Sequence, residues 1–250
     1  MTEATAGETA ARSWWARATL IGSVVALTLL FLGPVGTRLG VWGFQTGLLL
    51  LVPAGVLLAA IGLLVGLISL FVSKKRGFAG DPPLLLTSIA VCAVILVTMG
   101  IQFQKGTAVP PIHNITTDIA DPPQFSAVVA LRPEGSNPLD YDAEALGPQQ
   151  QSAYPDVQTL TLATPAPQTL NSVVAALGDM GLEIVAVDED AGTVEATDTT
   201  FWFGFKDDMV VRVRPAPEGS IVDARSVSRV GMSDLGKNAE RIMELLNRLR

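Results

Sequence analysis

The sequence predicts a two-part membrane protein: an α-helical anchor of about three transmembrane helices, then a C-terminal α+β domain. The domain should be an antiparallel sheet with two helices in the order β-α-β-β-β-β-α. Three observations lead there. Charged residues are absent from Ala18 to Thr37, from Leu39 to Ser73 and from Pro82 to Gln104. Runs of that length cross a bilayer, because about 20 helical residues span a hydrocarbon core of about 30 Å. Charge is also segregated: residues 1–105 carry seven Lys/Arg and three Asp/Glu, and residues 106–250 carry ten and twenty-one. Finally, strand-like alternation and helical spacing occur together only after residue 156.

The elements follow in order. Residues 1–12 are small and polar, a disordered tail, and 13–105 form the membrane region. Trp14 and Trp15, with Arg12 and Arg17, suit an interfacial anchor. The first span is expected over about 18–35, closing at Gly33-Pro34. A cleaved signal peptide is the other reading of this run, but no A-x-A-like site follows at Gly33–Gly40, which favours an uncleaved helix. The second span, about 45–72, contains Pro53, and Gly55, Ala59, Gly62 and Gly66 at helical spacing suit close packing. The third covers about 83–103.

Lys74-Lys75-Arg76 orients the chain. With Arg12 and Arg17 it puts five basic residues on one side, against Arg38 and Lys105 on the other. The basic side stays in the cytoplasm, so the domain is expected outside, which in a bacterial inner membrane is the periplasm.

Residues 106–155 are rich in Pro, Asp, Gln and Asn, with a brief apolar piece at Phe125–Leu131, and read as an extended arm wrapping the domain. Asn114-Ile115-Thr116 matches a glycosylation acceptor, a triplet common by chance. In the domain proper, 156–250, Val157–Leu162 alternates as a strand and Pro165–Met180 is helical with Gly181 as its stop. Glu183–Val187 and Thr193–Thr199 form a hairpin across Asp188–Gly192. Met209–Arg214 and Ile221–Val230 form a second. Ser233 or Asp234 caps a last helix with Leu235, Ala239, Ile242, Leu246 and Leu249 on one face.

Two long segments, EATDTTFWFGFKDDMVVRVRP and VDARSVSRVGMSDLGKNAERI, resemble the family catalogued as domain of unknown function 1499. The resemblance extends through AYPDVQTLTL, and PPIHNITTDIADPPQF resembles the family's membrane-anchored branch. An Asn-Cys-Val-like segment found in some members is missing here. The resemblance implies no activity and carries over no catalytic residue.

Composition narrows the chemistry. An acidic domain is a poor nucleic-acid binder. Cys92, the one cysteine, lies in the third apolar run, and His113 is the one histidine. A triad or a zinc site is therefore poorly supplied, and no cofactor is expected. Asp198, Asp207, Asp208 and Asp223 could act as acid and base or hold a hard cation, though adjacent acids more often pair with arginines. Arg212, Arg214, Arg225 and Arg229 should share one sheet face and could bind an anionic group, a lipid phosphate or an envelope partner's carboxylate. Cross-strand pairing with Asp223, Glu195 and Asp207 is the competing use. In Phe201-Trp202-Phe203-Gly204-Phe205, read as a strand, the phenylalanines face the core and Trp202 the polar side, where it contacts a ligand or the membrane interface. The leading function is a binding or interaction domain outside the membrane. A carboxylate hydrolase or transferase, or a purely structural envelope subunit, is the alternative.

Overall fold

The structure, a computed structural model, describes residues 11–250, so most of the expected tail lies outside the described residues. The chain divides into two compact units, Met1–Gln104 and Lys105–Arg250.

In the first unit, α1 (Trp14–Arg38), α2 (Val52–Arg76, preceded by a π-helical stretch Gln45–Leu51) and α3 (Asp81–Thr107) are long and apolar enough to cross a membrane. α1 does not stop at Gly33-Pro34. Pro34 lies inside the helix, and the Trp42 indole and the Thr37 hydroxyl both donate to the Gly33 carbonyl beside it. The π-helical stretch has a related cause. Pro53 cannot donate and crowds the carbonyl four residues back, so the backbone widens one turn earlier. Gly55, Ala59, Gly62 and Gly66 form a buried stripe on α2. A methyl group at Gly55 would meet the Ala26 carbonyl at 2.9 Å, so hydrogen there is what lets α1 and α2 touch. At the charged end of this unit, Asp81 accepts from the Ser13 amide and hydroxyl and from Ser73.

The second unit holds a six-stranded antiparallel sheet. Its strands are β1 (Asn114–Thr116), β2 (Leu160–Leu162), β3 (Glu183–Asp188), β4 (Thr193–Thr199), β5 (Lys206–Ala216) and β6 (Gly219–Ser228). The order is β1-β6-β5-β4-β3, with β2 also on β6. β1 pairs with residues 225–227 and β2 with 220–222, so the two short strands share the same edge of β6 end to end. α5 (Ala166–Asp179) and α6 (Lys237–Leu249) cover one face. Leu170, Val173, Leu177, Ile242, Leu245 and Leu246 pack there on Val194, Met209, Val211, Val213, Val222 and Ala224. Full burial of each larger side chain stabilises by about 1.5–3 kcal/mol.

The segment expected as an extended arm adds β1, a 3-10 turn at Ala127–Leu131 and α4 (Ala143–Ala153), and it lies on the sheet's other face. Asp142 caps α4 through the Ala145 amide. Glu195 on β4 accepts from the amides of Ser126, Ala127 and Val128, fixing the 3-10 turn to the sheet. The Gln150 side chain bonds both the amide and the carbonyl of Thr116, standing in for a neighbouring strand at β1's outer edge. Asn114 of the glycosylation-like triplet is buried and donates to the Asp140 carbonyl, so the folded domain does not offer it to a glycosyltransferase.

The aromatic segment departs from expectation. Phe201–Phe205 is not a strand but the β4–β5 turn. The Thr200 amide donates to the Phe205 carbonyl, and the Phe205 amide donates to the Thr200 hydroxyl. Gly204 has φ +68, the left-handed conformation this turn requires. Phe201 and Trp202 therefore point out of the domain, edge to face, while Phe203 and Phe205 stack at 5.1 Å.

Candidate functional site

Register puts the candidate arginines together. Arg212 faces Asp223, Val210 faces Arg225 and Asp208 faces Val227 across the β5–β6 hairpin. Opposed residues share a face, so Arg212, Arg214, Asp223, Arg225, Arg229 and Asp208 all lie on the face away from α5 and α6. Segment 113–155 covers that face, and its groups occupy the arginines.

Three clusters result. In the first, Arg229 grips Asp208 through two parallel bonds of 2.9 and 2.7 Å and donates to the Leu131 carbonyl. Arg132 reaches the same carboxylate at 2.5 Å, and Thr197 donates to it at 2.8 Å. In the second, Asp223 takes Arg214 at 2.6 Å and Arg212 at 3.4 Å, with Thr117 and Thr159 donating to its other oxygen. Asp118 and Asp121 flank these two arginines on the outside. In the third, fully buried Arg225 donates to Asn114 Oδ1 and to the carbonyls of Pro123 and Leu139. Its guanidinium also lies 5.3 Å from the Phe125 ring centroid and 5.8 Å from that of Tyr141. Burial pushes Arg225 down to about 10, with Tyr141 and Asp140 opposing.

The same cage affects Tyr141. Burial pushes its phenol up to about 12, and the Arg225 charge works against the rise. Burial, reinforced by Asp234, raises Tyr154 as well, and these are the chain's two tyrosines. A raised folded value contributes stability that is complete below the unfolded value of about 10 and, for Tyr141, is lost as pH climbs through about 12. Alkaline titration of the folded chain at about pH 11 should therefore lack most of Tyr141's share of the phenolate absorbance, whereas the chain in urea shows nearly all of it. Identical curves would remove Tyr141 from its cage.

On the helix-covered face, Asp198 and Asp207 sit directly opposite each other. Two carboxylates so placed repel, and Arg241 of α6 resolves it with bonds of 2.5 and 2.8 Å. Burial lowers the Arg241 pKa, but Asp207 and Asp198 outweigh it and hold the guanidinium above its ordinary value. Asn238 links Ser226, Ser228 and Arg241, and Asp234 accepts from the amides of Gly236 and Asn238, starting α6. Burial pushes the Asp234 carboxyl up, and those amide bonds oppose it. Arg241 is the residue that sequence reasoning missed. The signal was present: once the hairpin register opposes two aspartates, a cation must cover them, and Asn238, Arg241 and Leu245 form a stripe beside the apolar one.

The structure thus pairs Asp208 with Arg229 and Asp223 with Arg212 and Arg214, gives Asp198 and Asp207 to Arg241, and leaves Arg225 to Asn114 and backbone carbonyls. Arg225 and Asp208 are enclosed, and Arg212 and Arg214 keep partial access to solvent. Trp202 stands apart from them on the β4–β5 turn. His113 is bonded locally to the Met232 carbonyl at 3.3 Å.

These features define a membrane protein with three apolar helices and an α+β domain whose ionic groups tie a covering segment to its sheet. The chain belongs to the family described as Protein of unknown function (DUF1499), whose model matches residues 114–249. The match begins at the first residue of β1, so the shared unit includes the covering segment. No curated protein matches the chain.

Proposed function

We propose that this chain is a membrane-anchored interaction protein that presents its domain outside the cytoplasmic membrane, in the periplasm of a bacterial envelope. It acts through the domain's surface, on an envelope partner or lipid. The observation that carries this reading is the β4–β5 turn, which holds Phe201 and Trp202 out of the domain although they are costly to expose. The paired state of Asp198, Asp207, Asp208 and Asp223 supports surface action over carboxylate catalysis, since each already neutralises a buried or half-buried arginine. Lys74, Lys75 and Arg76 in the last turn of α2 support the orientation.

A photoreactive amino acid in place of Trp202, illuminated in spheroplasts, tests both parts. Protease added outside should release a domain fragment carrying lipid or protein adducts, and the same probe at Asp190 should give few. Equal adducts at both positions would defeat surface action, and a fragment protected from outside protease would reverse the orientation.

A further inference from the structure

The end of the domain that receives the chain from α3 carries its most exposed apolar side chains. Chain entry is fixed by local contacts: the Ser228 amide donates to the His113 carbonyl, the Asp234 amide to the Ile112 carbonyl, and a methyl group at Gly106 would meet Leu235 at 3.1 Å. The β4–β5 turn is at this same end, because Thr199 pairs with Lys206 and the Arg229 amide bonds the Lys206 carbonyl. Met232 is 81% exposed, Phe201 76%, Leu235 57% and Trp202 56%, the four highest values among large apolar residues of the domain.

Two further observations point to what covers them. The lysines of the second unit are Lys105, Lys206 and Lys237, and all three lie at this end, Lys237 paired with Glu240 at 2.5 Å. The opposite end, formed by the β3–β4 and β5–β6 turns, carries exposed Asp188, Glu189, Asp190 and Glu218. In addition, Leu235 has φ +56, the one non-glycine positive φ among the described residues. An L-residue pays roughly 1 kcal/mol for that conformation. Here it accompanies a leucine side chain turned outward.

Aromatic and apolar tips, flanking lysines and a remote acidic end match a bilayer interface with anionic headgroups. Connectivity supplies the occupant. Only Ala108–His113 separate the end of α3 from β1, and that stretch spans at most about 20 Å.

We infer that Phe201, Trp202, Met232 and Leu235 insert into the headgroup and acyl boundary of the bilayer that anchors the chain, with Lys206 against anionic headgroups. This deepens the proposed interaction role and rests on it. The β4–β5 turn and the β6–α6 loop act as a second, reversible contact with lipid beyond the three helices.

The test uses the full chain, with Cys92→Ser as background, in nanodiscs of phosphatidylglycerol and phosphatidylcholine. Single cysteines replace Trp202, Met232, Asp190 or Glu218 and carry an environment-sensitive fluorophore. Labels at 202 and 232 should emit to the blue and lose roughly half their intensity to lipids brominated near the headgroup, whereas 190 and 218 stay water-like. Removing phosphatidylglycerol should weaken the quenching at 202 and 232. The two loops are independent reporters, so a label that disturbs one leaves the other to read. Water-like emission at both 202 and 232, or equal quenching at all four positions, overturns the inference. Water-like emission together with protein adducts at 202 in spheroplasts would sink lipid insertion and leave the interaction role standing.

Discussion

Asp208→Ala should cost the domain about 3–5 kcal/mol, because it strips the shared carboxylate from two buried guanidiniums. Arg229 and Arg132 both close on Asp208, whose side chain has no solvent access. Neither arginine can turn to water without lifting segment 113–155 off the sheet. A domain of this kind has a total stability of about 5–15 kcal/mol, so the loss is a large part of its margin. Hydrogen exchange on the full chain in detergent should show β5 and β6 amides exchanging faster by a factor of order 100 or more. Replacing all three partners, Asp208→Leu with Arg229→Met and Arg132→Met, should recover much of the loss, because an apolar triad carries no stranded charge. Wild-type exchange in the single variant, or a triple variant no better than the single, would refute this account of the cluster.

Arg225→Ala should detach the covering segment more selectively. The side chain bonds Asn114 of β1 and two carbonyls, Pro123 and Leu139, from separate stretches of that segment. Its loss leaves three acceptors without their donor and removes the cation between Phe125 and Tyr141. Unsatisfied buried groups cost about 1–3 kcal/mol each, so a loss of about 4 kcal/mol is expected. Arg225→Lys should recover less than half, because an ammonium cannot reproduce the planar fork or its contact with the rings. Limited proteolysis should cut within 117–141 in Arg225→Ala while β3 and β4 stay intact. Cleavage spread evenly over the domain, or none, would show that Arg225 does not hold the segment.

Much of this architecture is readable in residue patterns, and the gaps have physical causes. The charge-free runs delimit α1, α2 and α3 because a bilayer demands continuous apolarity. Alternation correctly puts Arg212, Arg214, Arg225 and Arg229 on one face. It cannot show what lies over that face, because the covering segment has no period and binds largely through backbone carbonyls. β1 is three residues long, too short for alternation to register, and its existence depends on β6 more than a hundred positions later. α4 contains Gly147 and Pro148, which argue against a helix, and its Asp142 cap is a local signal easily lost among turn residues. The Phe-x-Phe-x-Phe pattern at 201–205 imitates a strand, and Gly204 with the Thr200 hydroxyl turns it into a loop.

The pairing of β1 with β6 also has a bearing on biogenesis. The ribosome makes β1 soon after α3, but its strand partner is among the last residues before α6. Until β6 has been made, segment 113–155 has no complete sheet to cover, and its anchors Asp223 and Arg225 are missing. The domain therefore matures as a late, concerted event and not segment by segment. Chains cut short before β6 would leave this acidic, proline-rich segment without its sheet partner, an accessible substrate for quality-control proteases.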